Sequence, residues 1–122
     1  MSAGVDFSAE ASENSIVFKN SQEMQNVTQI AFSLAYNFEI LKLIKHSSSL
    51  NIQDIALIEN NDGFSSYIIT MKEPVNISSD SEIIKLDYEK TSDETVHLNI
   101  VNVNFMDSEE NSYLLSTQSI IF

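Results

Sequence analysis

The sequence predicts an α+β fold: one long helix over residues 21–46 packed on an antiparallel sheet of about five strands. Three observations predict it. From Ser21 to His46 the chain runs without Gly or Pro, and as one strand that length would span roughly 80 Å, far beyond ordinary strands. The ends of the segment carry helix signals. Downstream, short apolar runs alternate with polar turns, which is how a sheet reads. The competing observation lies inside the segment. Ile30, Phe32, Leu34, Tyr36, Phe38 and Ile40 alternate with smaller or polar residues, as in a half-buried strand. If that period holds, the fold is instead an all-β sandwich of about seven strands.

In chain order, residues 1–13 (MSAGVDFSAEASE) are small, polar and acidic, with isolated Val5 and Phe7, and read as a loose N-terminal arm. Residues 14–122 then form a single α+β domain, whose first element is a short strand at Ser15–Lys19 (SIVFK). Asn20-Ser21-Gln22-Glu23 has the form of a capping box, with Asn20 as N-cap and Glu23 reaching back. Lys42, Lys45 and His46 would complement the macrodipole in the last turn. On a helical wheel Met24, Val27, Ile30, Leu34, Phe38, Leu41 and Ile44 share a broad apolar face. A second, narrower strip holds Phe32, Tyr36, Ile40 and Leu43, so two apolar faces on one helix mimic a period of two.

Strands follow at Asp54–Glu59 (DIALIE) and Ser65–Lys72 (SSYIITMK). They are joined through Asn60-Asn61-Asp62-Gly63, where Asp-Gly signals a hairpin. Pro74 should end the second of them. Glu82–Tyr88, Thr95–Phe105 and Tyr113–Phe122 complete five strands in a meander. Element order alone resembles the cystatin or monellin layout, with no motif residues in common.

Composition bounds the function. The chain has 122 residues, 43% of them apolar, enough for one core. Eighteen acidic residues face six lysines, no arginine is present, and the formal net charge is −12. Such a surface repels phosphate, which argues against nucleic acid or an anionic membrane as partner and favours basic ones. Without cysteine there are no disulfides or thiolate sites. The opening residues carry no secretory signal pattern and no apolar run is long enough for a membrane helix. The expected location is cytoplasmic, or within a virion.

Catalytic signatures are missing. Only Gly4 and Gly63 are present, so phosphate-cradling loops and a G-x-S-x-G elbow are excluded. His46 and His97 are the only imidazoles, too few for a zinc site without carboxylates. Alignment of Gly63 to a calcium loop puts Ile58 and Ile69 where carboxylates belong. Glu39, which can pair with Lys42, and Asp87, which shares a strand face with Lys85, read as solvent-facing; with His97 they form the set an enzyme would have to use. The expectation is no enzyme, no cofactor and no metal.

What remains is contact surface. The strip Phe32, Tyr36, Ile40 and Leu43, with Phe122 at a chain end, is the candidate partner-binding surface, since aromatics dominate such contacts. Asp93, Glu94, Asp107, Glu109 and Glu110 form the candidate acidic surface. The reading is an acidic, non-enzymatic protein-binding module, in its most specific form an inhibitor or immunity-type protein occupying a partner's basic groove. The alternative is a structural or assembly subunit of a phage particle or secretion machine, with homo-oligomers as its contacts.

Overall fold

The computed structural model describes residues 6–60 and 63–122, and among them there is no helix. The α+β expectation is therefore overturned and the all-β alternative is correct. Ten strands lie in the described residues: β1 (Phe7–Ala11), β2 (Ser15–Asn20), β3 (Met24–Ala35), β4 (Leu41–Ser47), β5 (Ile52–Asn60), β6 (Phe64–Ile77), β7 (Glu82–Lys90), β8 (His97–Asp107), β9 (Ser112–Leu114) and β10 (Ile120–Ile121). They form two sheets, one in the order β1-β2-β7-β4 and one in the order β10-β8-β3-β6-β5, with β9 added to β8. Every strand pairing is antiparallel.

The segment expected as a helix is two strands in different sheets. Its alternation is that of a strand after all: Ile30, Phe32 and Leu34 are buried in β3, the central strand of the larger sheet. The break comes at Tyr36–Ile40. The Asn37 side-chain oxygen accepts from the Glu39 N–H (3.0 Å), and its backbone carbonyl accepts from the Ile40 and Leu41 N–H groups (3.1 Å each). Asparagine makes such a turn without help from Gly or Pro, which is why the segment looked uninterrupted. Lys42, Lys45 and His46 lie on β4 and cap nothing; Lys45 sits 3.8 Å from Asp87 on β7.

Further expectations change. Phe7–Ala11, read as part of a loose arm, is β1, paired with β2 from Phe7↔Asn20 to Ala11↔Ile16; Val5 lies outside the described residues. The meander is replaced by crossovers, because β3 sits between β8 and β6 and β7 between β2 and β4. The hairpin between β5 and β6 is present, closing at Asn60↔Phe64, although Asn61 and Asp62 lie outside the described residues. Pro74 does not end β6. It falls between Thr70 and Val75, where the pairing with β3 is irregular, and beyond Met71, the last β6 partner of β5, so its missing N–H costs no ladder bond. The cystatin-like element order goes with the helix.

The core lies between the sheets. Phe7 and Phe18 of the smaller sheet meet Phe32 of the larger, with ring centroids 5.3 and 5.2 Å from it, and Phe32 stacks on Tyr67 at 5.2 Å. This aromatic column identifies the inner face of each sheet, and strand alternation then assigns the outer faces.

Candidate protein-binding surface

Register shows which side chains share the outer face of the larger sheet. On β3, Ile30, Phe32 and Leu34 point inward, so Gln29, Ala31, Ser33 and Ala35 point outward. Following their partners across the sheet gives three rows of four. One is Val101, Ser33, Ser66 and Ile58; the next is Asn104, Ala31, Ile68 and Ala56; the third is Met106, Gln29, Thr70 and Asp54. Of these twelve positions only Asp54, at the edge, is ionisable. Ser33 and Ser66 satisfy one another across the face (2.8 Å), and Ile58 on the edge strand is 63% exposed.

The outer face of the smaller sheet is different in kind. By the same register Glu10, Val17, Lys85 and Ser47 form one row, and Ser15, Asp87 and Lys45 another, with Lys19 opposite Glu82 nearby. Both signs of charge are interspersed there, as on an ordinary solvated face. The larger sheet presents a mixed apolar, hydroxyl and amide surface with a single ionisable residue, Asp54 at its edge, on a chain with one charged residue in five. Depletion of charge at the centre of a patch is the compositional mark of a protein interface.

The residues singled out in the sequence do not assemble this face. Phe32 is 1% exposed and belongs to the aromatic column; Ile40 is 9% exposed, in the turn before β4. Tyr36 is half-buried, its hydroxyl 2.9 Å from Ser65 Oγ, and Leu43 is half-buried opposite Tyr88. Phe122 packs edge-on against Tyr88 (5.1 Å), and its backbone exchanges two hydrogen bonds with Val96. The helical strip was a product of the helical wheel. Ile58 and Ile68, which do face outward, carried no local signal, since their side depends on register with strands distant in sequence.

The acidic residues lie in turns. Asp93 and Glu94 are exposed between β7 and β8. Asp107, Glu109 and Glu110 shape the β8–β9 turn. The Asp107 carboxylate accepts from the N–H groups of Asn111 (3.0 Å) and Glu109 (2.9 Å) and from the Tyr113 hydroxyl (2.9 Å). The Asn111 N–H first, then the Tyr113 hydroxyl, hold its carboxyl below the usual range, while the same carboxylate pushes the Tyr113 hydroxyl up. Asp107 is thus occupied in shaping its turn. Among the described residues no group of three or more acidic or histidine side chains is placed to hold a metal. Glu39, Asp87 and His97 are on separate elements: the turn before β4, β7 and the start of β8.

No protein-family model matches the sequence. No curated protein matches it either. Solved structures do match. The sixth cohesin of scaffoldin B from Acetivibrio cellulolyticus, solved in complex with Cel5 dockerin, superimposes with a TM-score of 0.77 at 16% identity, covering 98% of this chain and 97% of that one. A cohesin module from a family 33 glycoside hydrolase of Clostridium perfringens gives 0.75 at 16% identity, covering 97% and 90%. A non-cellulosomal cohesin from the archaeon Archaeoglobus fulgidus gives 0.72 at 16%, covering 98% and 90%. The chain has the β-sandwich fold of these cohesin modules from end to end.

Proposed function

We propose that this chain is a non-enzymatic protein-docking module that receives a dockerin-like partner on the outer face of the β8-β3-β6-β5 sheet. The observation that carries the reading is the contrast between the two outer faces: one charged and ordinary, the other with edge residue Asp54 as the one ionisable group in its three central rows. The full-length likeness to cohesins, one of them solved with its dockerin, supports the choice of partner class. The narrower expectations of an inhibitor of nucleic-acid-binding enzymes or of a virion subunit find no support in this fold, and neither does a homo-oligomer.

The test is titration calorimetry against dockerin-like modules encoded in the source genome. Ile58→Lys and Ile68→Lys should each weaken binding by at least about thirtyfold, the effect of a hot-spot residue, because an unpaired ammonium would be buried at the contact. Both variants should keep the wild-type melting temperature within a few degrees. Val17→Lys, on the opposite face, should bind normally. Binding that survives both isoleucine changes and is lost in Val17→Lys would move the interface to the other sheet.

A further inference from the structure

The outer face of the larger sheet does not stop at β8. Beyond it β9 pairs with β8 through Asn104↔Leu114, Phe105↔Tyr113 and Met106↔Ser112, and side chains directly opposite one another point to the same side. Asn104 and Met106 belong to two of the three outward rows, so Leu114 and Ser112 lengthen those rows by one strand. The second row then reads Leu114, Asn104, Ala31, Ile68 and Ala56. Leu114 is 83% exposed, the highest value among the large apolar side chains of the described residues.

A single exposed leucine means little by itself. This one is held outward from both sides. Tyr113 turns inward, where its ring stacks on Phe105 at 4.8 Å and its hydroxyl donates to Asp107 (2.9 Å). Leu115 packs against the core, and its N–H donates to the Val103 carbonyl (2.9 Å). The Asp107 carboxylate also accepts from the Glu109 and Asn111 N–H groups, which closes the turn that brings the chain back beside β8. A leucine whose neighbours are already fixed loses little freedom when a partner covers it. Size points the same way. A specific interface takes roughly 20–30 residues from each side, and the three central rows supply twelve. The contact has to continue past them, and β9 continues the face with a large apolar side chain. The net charge of −12 opposes a second copy as its occupant.

We infer that Leu114 is an anchor of the partner contact: the docking surface is five strands wide, β9-β8-β3-β6-β5, and the dockerin-like partner closes over Leu114 with an apolar socket of its own. The inference rests on the docking reading and adds a feature of the partner to it. That socket lies three strand spacings, roughly 14 Å, from whatever covers Ile68.

The experiment has two arms. In the free protein, amide nitrogen relaxation at Tyr113, Leu114 and Leu115 should match that of β8; a frayed β9 would overturn the inference before any partner is added. In titration calorimetry against the dockerin-like module that the wild type binds, Leu114→Ala should weaken binding at least about tenfold with the melting temperature unchanged. Ile44→Ala, at a side chain 60% exposed on β4, should bind normally. Leu114→Ala binding within about twofold of wild type, while Ile58→Lys and Ile68→Lys lose it, would overturn the inference and leave the sheet-face reading standing. Binding that survives both isoleucine changes, or a wild type that no such module binds, sinks the sheet-face reading and this inference with it. A concentration-dependent dimer in sedimentation that Leu114→Ala dissolves would assign the residue to a second copy and overturn the inference as well.

Discussion

Phe32→Ala separates the sandwich from the helical reading more cleanly than any other single change. On a helix Phe32 belongs to an exposed strip and its truncation would be nearly neutral. In the sandwich it is 1% exposed and its ring meets three others, with centroids 5.2–5.3 Å away, from β1, β2 and β6. Burying and then deleting a phenylalanine costs about 3–5 kcal/mol. Lost aromatic pairs at roughly 0.5–1.5 kcal/mol each push the value toward the upper end of that range. A domain of this length has a total stability of roughly 6–18 kcal/mol, so the variant forfeits about a quarter or more of it. At about 4 °C per kcal/mol for this size, the melting temperature should fall by roughly 15–20 °C. Thermal and urea unfolding followed by circular dichroism would read it, with Gln29→Ala on the outward side of the same strand as a control within about 0.5 kcal/mol of wild type. A Phe32→Ala protein that melts within about 3 °C of wild type would refute the aromatic column as the centre of the core.

Gly63→Ala should destabilise by at least about 2 kcal/mol in chemical denaturation, because a non-glycine residue is strained at φ +80° and its Cβ would stand 2.0 Å from the Tyr36 carbonyl oxygen; unchanged stability would mean that β3 and the β5–β6 hairpin do not meet there. Asp107 has a carboxyl pKa depressed in the folded state, so its contribution is present above the ordinary carboxyl value and is lost as pH falls through the lower folded value. Melting temperature should therefore decline more steeply below about pH 4 in the wild type than in Asp107→Asn, and parallel acid limbs would remove the turn's hydrogen bonds as the cause.

Much of the sheet was legible. β5 through β8 follow runs of alternating apolar residues bounded by polar turns, and their strands fall within a few residues of where the alternation puts them. β3 was misread although its alternation was complete. Two apolar stripes on a helix and one on a strand yield the same string, and length decided wrongly because Asn37 made a turn that no Gly or Pro announced. Asn20 shows the same ambiguity in one residue. A short amide beside Ser and Glu satisfies backbone groups in either fold; at a helix start its oxygen would accept from N–H groups, whereas here its nitrogen donates to two carbonyls. β1 had too few large side chains to be seen alone, and exists because β2 offers it an edge. The candidate site was less legible than the fold, since the outward residues of β3 meet those of β6 and β8 only through pairings between distant parts of the chain, such as Ser33↔Ser66 and Gln29↔Met106.

The charge now has a structural meaning that a net value of −12 does not convey. Acidic residues occupy the turns at Asp93–Glu94 and Asp107–Glu110, and charges of both signs occupy the outer face of the β1-β2-β7-β4 sheet, while the central rows of the larger sheet keep Asp54 alone. β5 is an edge strand with Leu57 and Ile58 exposed, the kind of edge that recruits a second copy. Two copies approaching edge to edge would each bring the same strong negative charge, and that repulsion opposes self-pairing while Asp54 stays the one ionisable residue in the central rows. A partner of a different sequence meets no such barrier. On the docking reading proposed above, acidic residues held in turns and on the other sheet would disfavour self-pairing, whereas charge at the centre of the contact would have to be desolvated by every partner alike.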